Sequence, residues 1–148
     1  MKVVIRLGNR TDASIAISVL RRSICDLCVA NNQGDARALS DWLRNKNAVA
    51  WVVWVGRKDA IFLVAEQACA IVGVGMVDHK GEILLNYVDP EFRFQGVSKN
   101  MLAALEGKVR ANETRMCFLQ STETARKFCQ RYGYTSIDGR RFALKKSL

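Results

Sequence analysis

Glu82-Ile83-Leu84-Leu85-Asn86-Tyr87-Val88-Asp89-Pro90-Glu91-Phe92-Arg93-Phe94-Gln95-Gly96-Val97-Ser98-Lys99 decides how this chain is read. Its first seven residues are mostly apolar and β-favouring, and they stop at the turn pair Asp89-Pro90. From Val97 the period changes: Val97, Met101, Leu105 and Val109 recur every four residues with Leu102 beside them, the pattern of one buried helix face. A strand therefore runs through a turn directly into a helix, with Lys99 and Lys108 free to reach outward. The first amides of such a helix have no internal partner and sit at the positive end of its dipole. Gly96 allows close backbone approach, Ser98 is small, and Arg93 and Lys99 add positive charge, so the junction suits a phosphate or pyrophosphate. The plainer alternative is a tight turn with no ligand. Neither G-x-x-x-x-G-K-[ST] nor G-x-G-x-x-G occurs.

Working upstream, Ile61–Glu66, Ala70–Val77 and Trp51–Val55 read as further strands, and short separators such as Asp78-His79-Lys80-Gly81 imply an antiparallel meander. Val3–Leu7 reads as the first strand. Thr11 or Asp12 is expected to cap a helix reaching Cys28, and Asn31-Asn32-Gln33-Gly34 to form a loop. A short helix over Asp35–Leu43 turns Leu39, Trp42 and Leu43 inward. Downstream, Met116–Gln120 is a strand, and Ser121 or Thr122 caps a helix with Ala125, Phe128, Cys129 and Tyr132 on one face. Arg126, Lys127, Gln130 and Arg131 point away from that face, Gly133 ends the helix, and Tyr134–Ile137 and Arg141–Leu144 flank an Asp138-Gly139 turn. The order predicts an α/β layer: a mixed, mainly antiparallel central sheet of about six or seven strands flanked by about four helices.

The 148 residues, 49 % apolar and 25 % charged, are expected to form one domain over 1–148. The longest apolar stretches, Ala48–Val55 and Ala68–Val77, fall short of the roughly 20 residues a membrane helix needs, and no signal-peptide apolar region opens the chain. A cytoplasmic protein without membrane association is expected, its five cysteines reduced. Cys25-x-x-Cys28 invites a zinc or redox reading, but with no second pair and one histidine, His79, packing of small buried residues is the expectation and no metal is. Residues 108–148 carry ten basic and three acidic groups, net +7 of the total +9. That charge suits an anionic partner such as a phosphate, nucleic acid or an acidic substrate, and reads equally as a solvated surface that happens to be basic.

The segment Arg93-Phe94-Gln95-Gly96-Val97-Ser98 resembles the R/Q-x-x-G-x-G/A acyl-CoA signature of the GNAT acetyltransferase superfamily. Phe62–Glu66 followed by Ile71-Val72-Gly73 looks like that family's central hairpin, and Thr122–Tyr134 like its N-x-x-A-x-x-F-Y-x-x-x-G-F block. The chain departs from the pattern at Ser98 for glycine or alanine, Thr122 for asparagine and Cys129 for a frequent tyrosine. The resemblance implies a GNAT-like fold and acetyl-CoA as acyl donor, without metal. It implies pyrophosphate on the amides of Phe94, Gln95, Gly96, Val97, Ser98 and Lys99, near Arg93. Pantetheine would run along Asn86, Tyr87 and Val88, where the strand splays from its neighbour, with Thr122 and Phe128 on the far wall and Arg126 reaching the phosphates.

The implied reaction is direct attack of a primary amine on the thioester in a ternary complex. An alkylammonium, with a pKa of about 10.4, must first lose a proton. Glu82 is the candidate base, with His79 behind it; each also reads as an idle solvated group. The departing thiolate needs a proton, for which Tyr132, Tyr134 and Cys129 are available. Cys129 shares an apolar face with Phe128 and Tyr132, so it reads first as packing. Backbone amides near Val88 would polarise the carbonyl. Two other functions stand beside this one: a CoA-binding module without turnover, and acetylation of a nucleic-acid-linked amine such as charged tRNA. A small-molecule or peptide acceptor, with the basic quarter serving CoA capture, is the simpler reading. The acceptor and the oligomeric state, a homodimer included, are not legible. Trp42, Trp51 and Trp54 either shape an acceptor pocket or fill the core.

Overall fold

The protein is described here by a computed structural model covering residues 2–32 and 35–148, without the side chains of residues 27–32 and 124. In chain order its elements are β1 (Val3–Leu7), α1 (Ala13–Asn32), α2 (Ala36–Leu43), α3 (Ala48–Val55), β2 (Ala60–Gln67), β3 (Ala70–Asp78) and β4 (Glu82–Val88). After them come α4 (Val97–Ala111), β5 (Met116–Gln120), α5 (Glu123–Arg131), β6 (Thr135–Ser136) and β7 (Ala143–Ser147). Among the described residues these make one mixed sheet of seven strands, ordered β1-β2-β3-β4-β5-β7-β6, with five helices. Only the β4–β5 pair is parallel. The fold is the expected α/β class with one helix more than the sequence reading allowed. No described helix is long and apolar enough to cross a membrane.

Two apolar clusters sandwich the sheet. One joins α4 and α5 to the sheet through Val97, Met101, Leu102, Leu105, Val109 and Cys129, all buried, as the four-residue spacing on α4 requires. Each such aliphatic chain contributes about 1.5–3 kcal/mol when fully withdrawn from water. The other gathers Ala16, Ile17, Leu20 and Ile24 of α1 and Trp51 of α3 over β2, β3 and Leu85.

The extra helix is α3, over the stretch expected to be a strand at Trp51–Val55. Asn47 accepts a hydrogen bond from the Ala50 amide at 2.8 Å and starts the helix. Trp51 is fully buried, its indole N–H donates to the Asn9 carbonyl at 2.8 Å, and Trp54 stacks on Phe62 with ring centroids 6.0 Å apart. Tryptophan anchoring overrides the β preference of the valines, because both edges of β2 are already taken by β1 and β3.

Other local readings also shift. Asn9, rather than Thr11 or Asp12, caps the turn at Arg10–Asp12, and Asp12 completes the capping box by accepting from the Asn9 amide at 2.8 Å. The helix α1 continues to Asn32, beyond the expected end at Cys28, while Gln33 and Gly34 lie outside the described residues. Cys25 is exposed, since Ile24 takes the inward direction; the side chain of Cys28 lies outside the description. No cluster of metal-ligating side chains occurs among the described residues. The last two strands are displaced relative to expectation: β6 keeps only Thr135–Ser136, and β7 begins at Ala143. The β7 strand pairs between β5 and β6, so its register with β5 sets its extent.

Candidate functional site

The site begins where the sheet opens. β4 pairs with β5 only through Glu82–Phe118 and Ile83–Leu119, and from Leu84 onward that edge of β4 has no strand beside it. The parting coincides with a bulge: β3 matches Val77 to Ile83 and Met76 to Leu85, leaving Leu84 as an extra, exposed residue. Beyond it Leu85 and Tyr87 pack toward α1–α3, while Asn86 turns toward α4, its Nδ2 donating to the Ser98 carbonyl at 3.4 Å.

At the far end of β4, Asp89 is buried and accepts from the Glu91 amide at 3.0 Å, fixing the turn at Pro90–Phe92. Phe94 and Gly96 adopt φ of 62° and 83°. The left-handed glycine starts α4 without a side-chain cap, and a Cβ placed on it would meet nothing within 4 Å. Among the described residues, the amides of 94–99 have no acceptor from the protein. An uncapped helix start facing open space is an anion cradle.

A cavity of about 490 Å³ connects these features. It is lined by Asn86, Tyr87 and Val88 of β4, by Arg93, Phe94, Gly96, Val97, Ser98 and Lys99 at the cradle, by Ala125, Phe128 and Arg131 of α5, and by Tyr132 just beyond that helix. A smaller hollow of about 100 Å³ adjoins it between β4, the end of β5 and α5, sharing Asn86, Tyr87, Ser98, Ala125 and Phe128. The combination of a strand parted from its neighbour, a cleft along it and a free amide cradle at its end is an observation about ligands. The model of the acetyltransferase (GNAT) domain matches residues 45–145 of the sequence.

The chain belongs to the GNAT acetyltransferase family.

Solved structures of similar shape include the PaiA N-acetyltransferase of Thermoplasma acidophilum in complex with coenzyme A. It is 20 % identical, with TM-score 0.85 over 100 % of both chains. A GCN5-related N-acetyltransferase from Rhodopseudomonas palustris is 19 % identical, with TM-score 0.85 over 100 % of this chain and 97 % of that one. A GNAT acetyltransferase of Brucella melitensis in complex with acetyl-CoA is 17 % identical, with TM-score 0.68 over 99 % and 88 %. At these identities the likeness speaks for the fold. No curated protein matches the sequence.

Within this GNAT domain the sequence-derived candidates divide. Asn86, Tyr87, Val88, Arg93, Phe94, Gly96, Val97, Ser98, Lys99, Phe128 and Tyr132 line the cleft, and Thr122 and Cys129 line the adjoining hollow. Gln95 lines neither; its Oε1 accepts from Gln67 Nε2 at 3.5 Å. Arg126 is not brought to the cradle, because its Nε donates to the Arg141 carbonyl at 3.0 Å. Arg131, expected to face away, lines the cleft instead: it sits one turn nearer the cradle end of α5. The Arg93 guanidinium is held 2.6 Å from Asp26 of α1, and Arg22 pairs with Asp89 at 2.7 Å, so α1 braces the turn.

Glu82 is half-buried on the sheet face opposite Ile83, where the α1–α3 layer lies, and it lines neither cavity. Tyr132 packs on Phe128 with ring centroids 4.9 Å apart, and Lys99 Nζ stands 6.0 Å above its ring. Cys129 is buried in the core cluster, and burial pushes its thiol up to about 11. Tyr134 is unsuited to proton transfer in the cleft. It is buried, its hydroxyl donates to Glu106 Oε2 at 2.7 Å, and burial followed by that carboxylate lifts its ionisation far above the usual range.

Sequence reasoning missed Ser121. Of the two candidate caps Thr122 takes the role, its Oγ1 accepting from the Ala125 amide at 3.1 Å. That leaves Ser121 Oγ buried on the wall of the hollow, without a partner among the described residues; Asn86 Oδ1 is likewise buried and has none among them. The adjacent pair of hydroxyl residues was the available signal, since only one of them can cap.

Proposed function

We propose that this GNAT domain transfers the acetyl group of acetyl-CoA to a primary amine by direct attack in a ternary complex. The reading is carried by one observation: β4 parts from β5 after Ile83, and the resulting cleft runs to unpaired amides at the start of α4. The amides of 94–99 would hold the diphosphate, with Lys99 and Arg131 adding charge at the cleft wall. Asn86 Oδ1 and Ser121 Oγ, each costing about 1–3 kcal/mol while unpaired, would be satisfied by the amides of a pantetheine arm. The complexes of similar fold with coenzyme A and acetyl-CoA support this choice of donor.

In the reaction the amine nitrogen forms a bond to the thioester carbon and the carbon–sulfur bond breaks. Glu82, on the opposite sheet face, takes the proton from the incoming ammonium through water. Tyr132, one of the hydroxyls on the cleft wall and packed there on Phe128, gives a proton to the departing thiolate. Carbonyl polarisation comes from backbone amides near Val88.

A turnover screen with acetyl-CoA against amines, amino acids, peptides and tRNA tests the reading. CoA should be detected by mass, because Cys25 and Cys69 are exposed and would react with a thiol dye. Release of CoA dependent on an amine supports it; tight binding of acetyl-CoA without release across the panel would leave a binding module in its place.

A further inference from the structure

The two helical layers satisfy their cations differently. On and beside α1–α3, Arg22, Arg44 and Arg57 meet Asp89, Asp41 and Asp59 at 2.7, 2.7 and 2.8 Å. On α4 and α5, Lys99, Arg110, Arg126, Lys127 and Arg131 are in no ion pair among the described residues. The acids of these two helices are Glu106 and Glu123. Glu106 is buried and bound by Tyr134 and Lys146, and Glu123 is bound by Arg141 at 2.7 Å. The outer surface of this layer therefore keeps an uncompensated positive charge. Lys99 and Arg131 line the cleft, but Arg110, Arg126 and Lys127 line neither cavity, so coenzyme capture accounts for only part of that charge.

These cations share one surface. α4 and α5 pack on the same core cluster, and Lys99 Nζ stands 6.0 Å from the ring of Tyr132 at the end of α5. Lys127 and Arg131 are about one helical turn apart with Arg126 beside them, and Arg110 lies about three turns, roughly 16 Å, along α4 from Lys99. Among the described residues no exposed large apolar side chain stands on either helix. A protein partner is held by an apolar interface core, and a membrane by an apolar helix face. A chain of phosphates needs neither, because it binds by charge and the release of counterions. We propose that this face binds the phosphate backbone of a nucleic-acid strand, with phosphates over Arg126, Lys127 and Arg131 and on toward Lys99. The proposal goes beyond the acetyl-transfer reading and does not depend on it.

Fluorescence anisotropy of the full chain with a labelled oligouridylate of about 12 nucleotides tests this. Contacts to about four phosphates predict a slope of about −3 for log K against log salt. Arg126→Gln combined with Lys127→Gln should weaken binding about tenfold at about 0.1 M salt and flatten the slope by about 1.4. Lys58→Gln, in the turn between α3 and β2, removes the same kind of charge elsewhere and should change affinity by less than about twofold. CoA affinity of the double variant, by titration calorimetry, should stay within about twofold of the parent, since neither residue lines the cleft. A flat salt response overturns the proposal. So does an equal loss in Lys58→Gln, which would reduce the attraction to net charge. Polyglutamate bound as tightly as the oligonucleotide would give the face to an acidic protein, and a parallel loss of CoA affinity would give it to the coenzyme; either overturns the proposal. Oligonucleotide binding without CoA binding supports it and overturns the acyl-CoA reading alone.

Discussion

Arg93 Nη1 lies 2.6 Å from Asp26 Oδ2, so the arginine of the turn before α4 is held by α1. The pair is partly exposed and worth at most about 1 kcal/mol as an ion pair. The bond also keeps a carboxylate beside a cradle meant for an anion. The two partners therefore predict opposite effects. Arg93→Ala should weaken CoA binding about tenfold, while Asp26→Asn should strengthen it two- to fivefold by freeing the guanidinium and removing negative charge. Titration calorimetry at low and moderate salt checks both, and weakening by Asp26→Asn would count against the cradle.

Tyr132 keeps its packing on Phe128 when its hydroxyl is removed. Tyr132→Phe should then lower kcat by about 10²-fold with CoA affinity within threefold of the parent. Glu82→Gln should lower kcat/KM for the amine by a similar factor and remove the acidic limb of its pH profile. Steady-state kinetics with the amine found by the screen separates the two roles, since an unchanged kcat in either variant removes that residue from proton transfer.

Burial pushes both Cys117 and Cys129 up to about 11, from an ordinary value of 9.0. The folded state holds these thiols protonated over a range where the unfolded chain would ionise them. Their contribution is complete below pH 9 and is lost as pH rises through 11, at up to about 1.4 kcal/mol per pH unit for each thiol. Urea denaturation between pH 8 and 11 should show a steeper loss in the parent than in Cys117→Ala with Cys129→Ala. At pH 8, iodoacetamide followed by peptide mass mapping should label Cys25 and Cys69 well before Cys117 and Cys129.

Asp12 has the opposite sign. Its hydrogen bonds from Arg6, at 2.8 and 2.9 Å, outweigh the cost of burial and hold its carboxyl below the usual 3.8. The stabilisation is fully present above pH 3.8 and fades as pH falls through the folded value. Asp12→Asn should cost about 2 kcal/mol at pH 7, by weakening the capping box and the Arg6 bonds, and should flatten the acid limb of the stability curve. Chemical denaturation from pH 2.5 to 7 measures both.

Much of the site was legible because its signals are local. The run from Glu82 to Lys99 fixes a strand, an Asp-Pro stop and a glycine-started helix within eighteen residues, and the four-residue apolar repeat of α4 needs no distant information. The strand boundaries at Met116–Gln120 and Glu82–Val88 were readable for the same reason.

What the sequence determined by itself is this order of elements and the free amides at Gly96, since torsional preference and hydrogen-bond counting act over a few residues. The tertiary structure decided which contacts compete. The buried Trp51 and the partly buried Trp54, both against Phe62, made a helix of a valine-rich stretch. The β4–β5 register ended after Ile83, which opened the cleft. Distant partners turned Arg126 to Arg141 and Arg93 to Asp26, while Thr122 took the cap and left Ser121 to the hollow. Each of these is a choice between partners of similar local merit, resolved by burial and by residues far away in the chain, and no window of neighbouring residues contains that information.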